Sequence, residues 1–507
     1  MKRNISWPLL ITFIGLITIP YLFAQLFNNG QAVFSGFLLN PQDGNSYLAK
    51  MYEGWNGVWQ FTLPYTAARG NGAFLFLFYL LLGHFSRLTG ISLILTYHAA
   101  RVLGALLLVF AVRDLAAWVF DNNPKAANSA LWLALLGSGA GWLLVGFGVI
   151  TSDLWVAETY PFLSSFATPH FCIGMAILVR LFLNFTQASV PSRWIRLAIY
   201  GLLLAIIMPF GIAVAGVIGL VWLAWEWRKT KQLHWANFLA AFILGGPALI
   251  YQYAAIQLDA LLSAWNAQNL TPSPPIWDLF FALAPAILLA GWGVWRFFRR
   301  SDQNEGGRLL VVWCLAGLVM IYFPFSLQRR FMFGYDLPIA FLAIAGLQDW
   351  PRLTTRMRRR LSTVLLSLSL LTNLVVIVLA VFGILSQSPL LYLKNDEVAA
   401  FDFIRANLPG DAVILCSPAT GNFLPAWTGR RVLYGHEFET VNASQTRQEV
   451  TELFDGRTTP AQALDILHKQ QVQFVFVGPR ERALGTPAFT AAMKPIYQNG
   501  SVQIYSW

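Results

Sequence analysis

The chain has 507 residues, 56% of them hydrophobic and only 12% charged. Soluble domains carry about 25% charged residues, so half that fraction with repeated long apolar runs excludes an ordinary soluble domain and describes a polytopic helical membrane protein. The net charge of +11 does not point to nucleic acid, because Lys and Arg sit in short clusters between apolar runs, as they do in cytoplasmic loops.

Taken in order, Lys2 and Arg3 precede the run 7–26, which has no A-x-A cleavage site and reads as an uncleaved first span with its start inside. The segment 34–66 then lies outside. It holds Pro41, Asp43, Gly44 and Asn45, followed by an amphipathic piece with Tyr47, Lys50, Met51 and Glu53. A carboxylate at a turn just outside a membrane, flanked by interfacial aromatics, suits acid/base chemistry, and the rest of the chain reads as a scaffold presenting Asp43. The run 73–88 is short and interrupted by His84 and Arg87, and reads as a juxtamembrane or re-entrant helix on the outer side.

The run 91–120 goes in, and the glycine-rich run 130–149 returns to an outer loop, 150–168, with Asp153 and Glu158. The run 169–185 goes in. The stretch 194–227 is too long for one span of about 20 residues, has Pro209 in its middle and cations at both ends, and so reads as two helices meeting at Met208-Pro209-Phe210. The runs 238–256, 277–295, 309–323, 331–347 and 361–385 follow. The total is about eleven spans, which puts nearly every Lys/Arg cluster inside. If 73–88 also spanned, every later cluster would flip, including Arg352 to Arg360.

After residue 390 the long apolar runs stop. The segments 395–407 and 460–469 read as helices, and 412–416, 432–434, 472–477 and 502–505 as strands, which predicts a small α/β domain. The fold class is therefore mainly α. A helical membrane domain, 1–390, has an outer loop at 28–72 and juxtamembrane helices to about 89, and an extracytoplasmic α/β domain occupies 391–507. The N-terminus is expected in the cytoplasm. The three cysteines, Cys172, Cys314 and Cys416, fall in apolar runs or a buried strand and give no disulfide framework.

Four local sequences stand in order along this layout: Pro41-Gln42-Asp43, Pro169-His170-Phe171, Gln328-Arg329-Arg330-Phe331, and Thr428 to His436 (TGRRVLYGH). With the architecture, they give a chain that resembles the GT-C-type membrane glycosyltransferases, a group that includes protein O-mannosyltransferases, the lipid A aminoarabinose transferase and bacterial mannosyltransferase-like proteins. The resemblance covers essentially the whole chain. It departs from the best-known members in that no second acid follows Asp43. It implies a polyprenyl-phosphate or diphosphate sugar as donor, a lipid, glycan or protein acceptor, and inverting transfer at the outer face of the cytoplasmic membrane. Asp43 would be the base and Arg329 and Arg330 the phosphate grip, both facing one external crevice.

Each assignment has a plainer counterpart. Pro-Gln-Asp-Gly-Asn is also a turn signal. Asp153 and Glu158 either fit a solvated loop or add an acid for acceptor or metal. Arg329 and Arg330, outside against the positive-inside tendency, bind either donor phosphate or ordinary lipid headgroups. Arg101, within an apolar run, is a substrate contact, a partner for Asp43 or a snorkelling cation. His170 opens a helix, where it caps or meets substrate, and His436 belongs to an acceptor-binding segment or to a loop. Asp336 is a candidate partner for Arg329 or Arg330. The six histidines, His84, His98, His170, His234, His436 and His468, form no ligand cluster, so the one metal reading left is a labile Mg2+ or Mn2+ on Asp43 and Asp153. No G-x-G-x-x-G or P-loop occurs in the tail, in keeping with a lipid donor that needs no nucleotide. A transporter or flippase, and a non-catalytic scaffold of the same fold, are the competing classes.

Overall fold

A computed structural model describes residues 6–27, 30–121, 123–187, 189–231, 235–300 and 304–506; Lys2, Arg3 and His234 lie outside them. The chain divides into two compact units. One contains Met1–Leu22, His98–Ile250 and Thr271–Phe382, and the other Phe23–Tyr97, Tyr251–Leu270 and Gly383–Trp507.

The first unit is helical. Four described helices, Trp7–Leu26, Leu93–Val119, Pro209–Thr230 and Thr355–Leu385, are long and apolar enough to cross a bilayer. Two bent pairs, Trp235–Phe242 with Gly245–Leu258 and Ile276–Leu283 with Ala286–Arg299, raise the number to six if each pair is one span. Pro169–Phe185 and Asp336–Gln348 are shorter apolar helices. Pro191–Ile207 and Glu305–Ile321 are 17 residues each. The expected break at Met208 is present, because Pro209 starts a new helix and Met208 leaves helical geometry at φ −145°, ψ 79°.

Several expected runs differ: 238–256 and 277–295 are each broken into a bent pair, and 331–347 is α-helical only from Asp336. The stretch 130–149 is not a single helix: Pro124–Leu136 ends at Gly137, and a four-residue helix, Trp142–Val145, follows. Backbone hydrogen bonds from Ser138 to the Ser369 carbonyl and from Ala140 to the Phe281 carbonyl replace the helical ladder across the glycine-rich turn. Glycines also set how closely helices approach. A Cβ on Gly293 would run into the Leu342 carbonyl, and one on Gly346 into the Leu289 carbonyl, so Ala286–Arg299 and Asp336–Gln348 meet backbone to backbone.

The second unit holds two sheets. Strand β1 (Ala32–Phe34) pairs antiparallel with β2 (Tyr392–Lys394). The larger sheet contains β3 (Val413–Leu415), β4 (Arg431–Val432), β5 (Phe474–Val477), β6 (Lys494–Asn499) and β7 (Val502–Ser506), in the order β4-β3-β5-β7-β6. β4, β3 and β5 run parallel, and β7 returns antiparallel beside β5. Both faces of the sheet are covered. Ile414, Phe476 and Ile504 pack with Ala400, Phe401 and Ile404 of helix Asn395–Asn407. Val413, Leu415 and Val475 pack with Val450 and Leu453 of helix Ala443–Asp455 and with Ala463 and Leu467 of helix Pro460–Lys469. Burial on both faces is why these strands read as unbroken apolar runs rather than as alternating patterns.

The carboxyl ends of β3 and β5, the usual phosphate position of such sheets, are filled from within. Glu481 accepts the Ser417 and Gly478 amides, each at 2.8 Å, and is fully buried. A carboxylate of the chain itself thus takes the place at the start of helix Pro418–Thr428 where a nucleotide phosphate would sit.

Candidate functional site

In the second unit the helix Pro41–Trp55 begins at Asn40, which is left-handed at φ 49°, and has Pro41 in its first turn. That start puts Asp43 in the first turn, where the helix dipole favours an anion. The helix packs on Leu77–Thr89, the helix expected from 73–88. A Cβ on Gly54 would strike the Leu80 carbonyl and one on Gly83 the Met51 carbonyl, so only glycine permits this approach.

The loop 435–440 faces Asp43. His436 Nε2 stands 3.4 Å from Asp43 Oδ1; the histidine is buried and the Asp43 side chain is 46% exposed. The other ring nitrogen, Nδ1, accepts the Phe438 amide at 3.0 Å. The loop is tied on every side. His436 O accepts the Thr440 amide at 3.0 Å, Phe438 O accepts Trp265 Nε1 at 2.7 Å, and Thr440 O accepts Gln268 Nε2. Asn45 Nδ2 donates to Asn422 Oδ1 at 2.7 Å, and Asn422 Nδ2 donates to the Gln42 carbonyl at 3.3 Å, which fixes the turn carrying Asp43 against helix Pro418–Thr428.

Two further ionisable side chains lie on the same helix. Lys50, 0% exposed, donates to Glu439 Oε1 at 2.7 Å and to Ser46 Oγ at 3.3 Å, with the Phe76 ring 4.5 Å away. Glu53 accepts the amide and the hydroxyl of Thr62, and burial pushes its pKa up to about 7.

In the first unit, Glu158 is buried and meets both arginines of Gln328–Met332: Arg330 Nη1 at 3.2 Å and Arg329 Nε at 3.6 Å. The Arg329 guanidinium lies 4.7 Å over the Trp155 ring. The Glu158 carbonyl also accepts the Gly334 amide at 2.9 Å, so the acid and the turn bearing the arginines are held together twice. Asp153 is enclosed nearby in sequence. Its oxygens take the Gly141 amide at 3.0 Å and the Thr151 hydroxyl at 2.6 Å, and burial pushes its pKa up to about 6.

The expected residues therefore fall into different settings. Asp43 and His436 come together, as do Glu158, Arg329 and Arg330. Arg101 is 1% exposed, with hydrogen bonds to the Ile17 and Ser165 carbonyls at 2.8 Å and to His98 Nδ1 at 3.2 Å, and with the Tyr21 ring 4.2 Å away. It clamps three helical segments, a structural setting rather than that of a substrate contact. His170 is buried at the start of Pro169–Phe185, its ring 4.0 Å from that of Phe171. Asp336 is buried at the start of its helix. Asn422 and Trp155 were not expected, and although Asn45, Lys50 and Glu439 lie in the stretch 34–66 and in the segment around His436 singled out above, the pairing of buried Lys50 with Glu439 was not, since a lysine on a polar helix face gives no sign of total burial.

Among the described residues no group of three or more His, Cys, Asp or Glu is disposed to hold a metal ion. The labile Mg2+ or Mn2+ expected on Asp43 and Asp153 therefore finds no such group among the described residues.

Neither a protein-family model nor a curated protein matches the chain by sequence. Solved structures do match by shape. ArnT from Cupriavidus metallidurans, bound to undecaprenyl phosphate, superposes with TM-score 0.55 over 99% of this chain and 98% of its own, at 11% identity. The Archaeoglobus fulgidus oligosaccharyltransferase tethered to an acceptor peptide gives 0.53 over 93% and 69%, at 13% identity. The arabinofuranosyltransferase AftD from Mycobacteria gives 0.58 over 99% of this chain and 40% of its own, at 13% identity. The chain has the GT-C fold. At these identities the likeness concerns the path of the backbone, and the GT-C fold extends over both units, since the ArnT match covers nearly all of each chain.

Proposed function

We propose that the chain is an inverting glycosyltransferase that moves a sugar from a polyprenyl-phosphate or diphosphate carrier to an acceptor hydroxyl at the outer face of a membrane. Asp43 takes the acceptor proton as the acceptor oxygen bonds to the anomeric carbon. The bond from that carbon to the phosphate oxygen breaks, and its electron pair leaves with the lipid phosphate. A phosphate departs as a stable anion, so no acid is required on that side. Arg329 and Arg330 supply donors for its oxygens, with Glu158 holding their forks in place.

The observation that carries this reading is the setting of Asp43: a half-exposed carboxylate in a helix first turn, with a buried histidine directed at one oxygen. The GT-C fold and the lipid phosphate bound to ArnT support the class of donor. The test is Asp43→Asn in the full chain, with unfolding compared with the wild type. Transfer from a polyprenyl-phosphate sugar should fall by about 10²- to 10⁴-fold while the protein stays folded. Transfer at the wild-type rate refutes the assignment.

A further inference from the structure

The histidine behind Asp43 is held at one ring nitrogen and aimed with the other. Nδ1 accepts the Phe438 amide at 3.0 Å, so it carries no proton, and in the neutral ring the proton sits on Nε2. Nε2 points at Asp43 Oδ1 from 3.4 Å and has no other hydrogen-bond partner among the described residues. A buried N–H with nowhere else to donate is directed at the carboxylate. Tyr65 lies beside the ring with centroids 5.8 Å apart, and the loop carrying it is tied to Trp265, Gln268 and Thr440.

We infer that His436 is a positioning residue for Asp43: as a fixed neutral Nε2–H donor it holds one carboxylate oxygen and so orients the other. The tail then has a defined task in the reaction, since the side chain that aligns the base comes from residue 436 while the base itself is at residue 43. This rests on the reading of Asp43 as the base. The 3.4 Å separation is longer than a closed hydrogen bond, as is common before substrate binds, and shortening it requires only a small shift of the half-exposed Asp43 side chain. Neutral His436 also suits the chemistry, since a charged imidazolium would lower the basicity of the carboxylate it faces.

The decisive measurement is nitrogen NMR of the full chain labelled at histidine, in detergent, with the His436 signal assigned by its loss in His436→Phe. His436 should show the proton on Nε2 and a bare Nδ1, and Asp43→Asn should shift the Nε2 signal while leaving the other histidines in place. A proton on Nδ1, or a signal indifferent to Asp43→Asn, overturns the inference. Kinetics supply the second arm, using the polyprenyl-phosphate sugar that the wild type accepts. His436→Phe should lower kcat about tenfold or more with donor KM unchanged, and His436→Gln, whose amide can place an N–H near the Nε2 position, should recover most of it. Equal losses in Phe and Gln variants, or a wild-type kcat in His436→Phe, overturn the inference even where Asp43→Asn is inactive. Full activity in Asp43→Asn overturns the underlying reading as well.

Discussion

The two charged clusters are built in opposite senses. In the second unit the acid faces solvent and its partner is buried: Asp43 is half exposed and His436 stands behind it. In the first unit the acid is buried and the cations are the more exposed members, with Glu158 behind Arg329 and Arg330. Each cluster hides the group that orients and leaves outward the group that can meet a ligand. An outward carboxylate suits a proton that must be taken, and outward guanidinium groups suit an anion that must be held. The same principle sorts the other expected residues. Arg101 and Asp153 spend their hydrogen bonds on the backbone, a neighbouring hydroxyl or the His98 ring, and neither presents an outward face.

The sharpest way to break this comparison is kinetic. Asp43→Asn should act on kcat, with the large loss given above and little change in donor KM. Arg330→Ala should act mainly on donor KM, raising it about ten- to a hundredfold, the range for losing a hydrogen bond to a charged group. Arg330→Lys should not restore it, because an ammonium cannot reproduce the planar fork. Glu158→Gln should give a smaller rise, since it loosens the arginines without removing them. Equal effects of Asp43→Asn and Arg330→Ala on both constants would show that the clusters do not divide the work in this way.

Stability offers the next test, on a pair that plays no outward role. Lys50 and Glu439 are buried together at 2.7 Å. Lys50→Met strands the Glu439 carboxylate and should cost about 3–5 kcal/mol, read as a lower unfolding midpoint of the detergent-solubilised chain. Adding Glu439→Leu removes the stranded charge and should return much of that loss. A single variant as stable as the wild type would mean that water already reaches Glu439.

What could be read in advance follows from how local each cause is. Helices Asn395–Asn407 and Pro460–Lys469 have the expected bounds, because polar caps and the proline and glycine around them act within a turn. The helix break at Met208 was legible for the same reason, from Pro209 alone. The run 130–149 was misread because its apolar content passes for a span, whereas its glycines let distant backbone, Ser369 and Phe281, take the hydrogen bonds. Helix Pro418–Thr428 was not expected although Ser417 caps it on the Thr420 amide, Pro418 opens it and Gly429 closes it, because Pro425 inside it reads as a breaker. The site divides likewise. Asp43, Glu158, Arg329 and Arg330 stood out as charges beside apolar runs. That His436 faces Asp43 depends on the fold bringing residues 43 and 436 together, and no local pattern carries that.

The smallest effect concerns Glu53, on the same helix as Asp43 but turned inward. Its carboxyl accepts two donors from Thr62, and burial still lifts its pKa from 4.5 to about 7. Below pH 4.5 the folded and unfolded chains both hold this proton, so Glu53 contributes no slope. Between about 4.5 and 7 the folded chain keeps the proton that the unfolded chain has lost, so stability falls as the pH rises through this window and levels off above it. Glu53→Gln carries no such proton and should flatten that part of the curve of unfolding midpoint against pH, while the wild type declines from pH 5 to pH 7. Outward Asp43 offers a control on the same helix: Asp43→Asn should leave the Glu53 slope in place. If the two variants flatten the curve equally, burial is not what separates the inward acid from the outward one, and the division between orienting and ligand-facing groups fails on the helix where it is most clearly drawn.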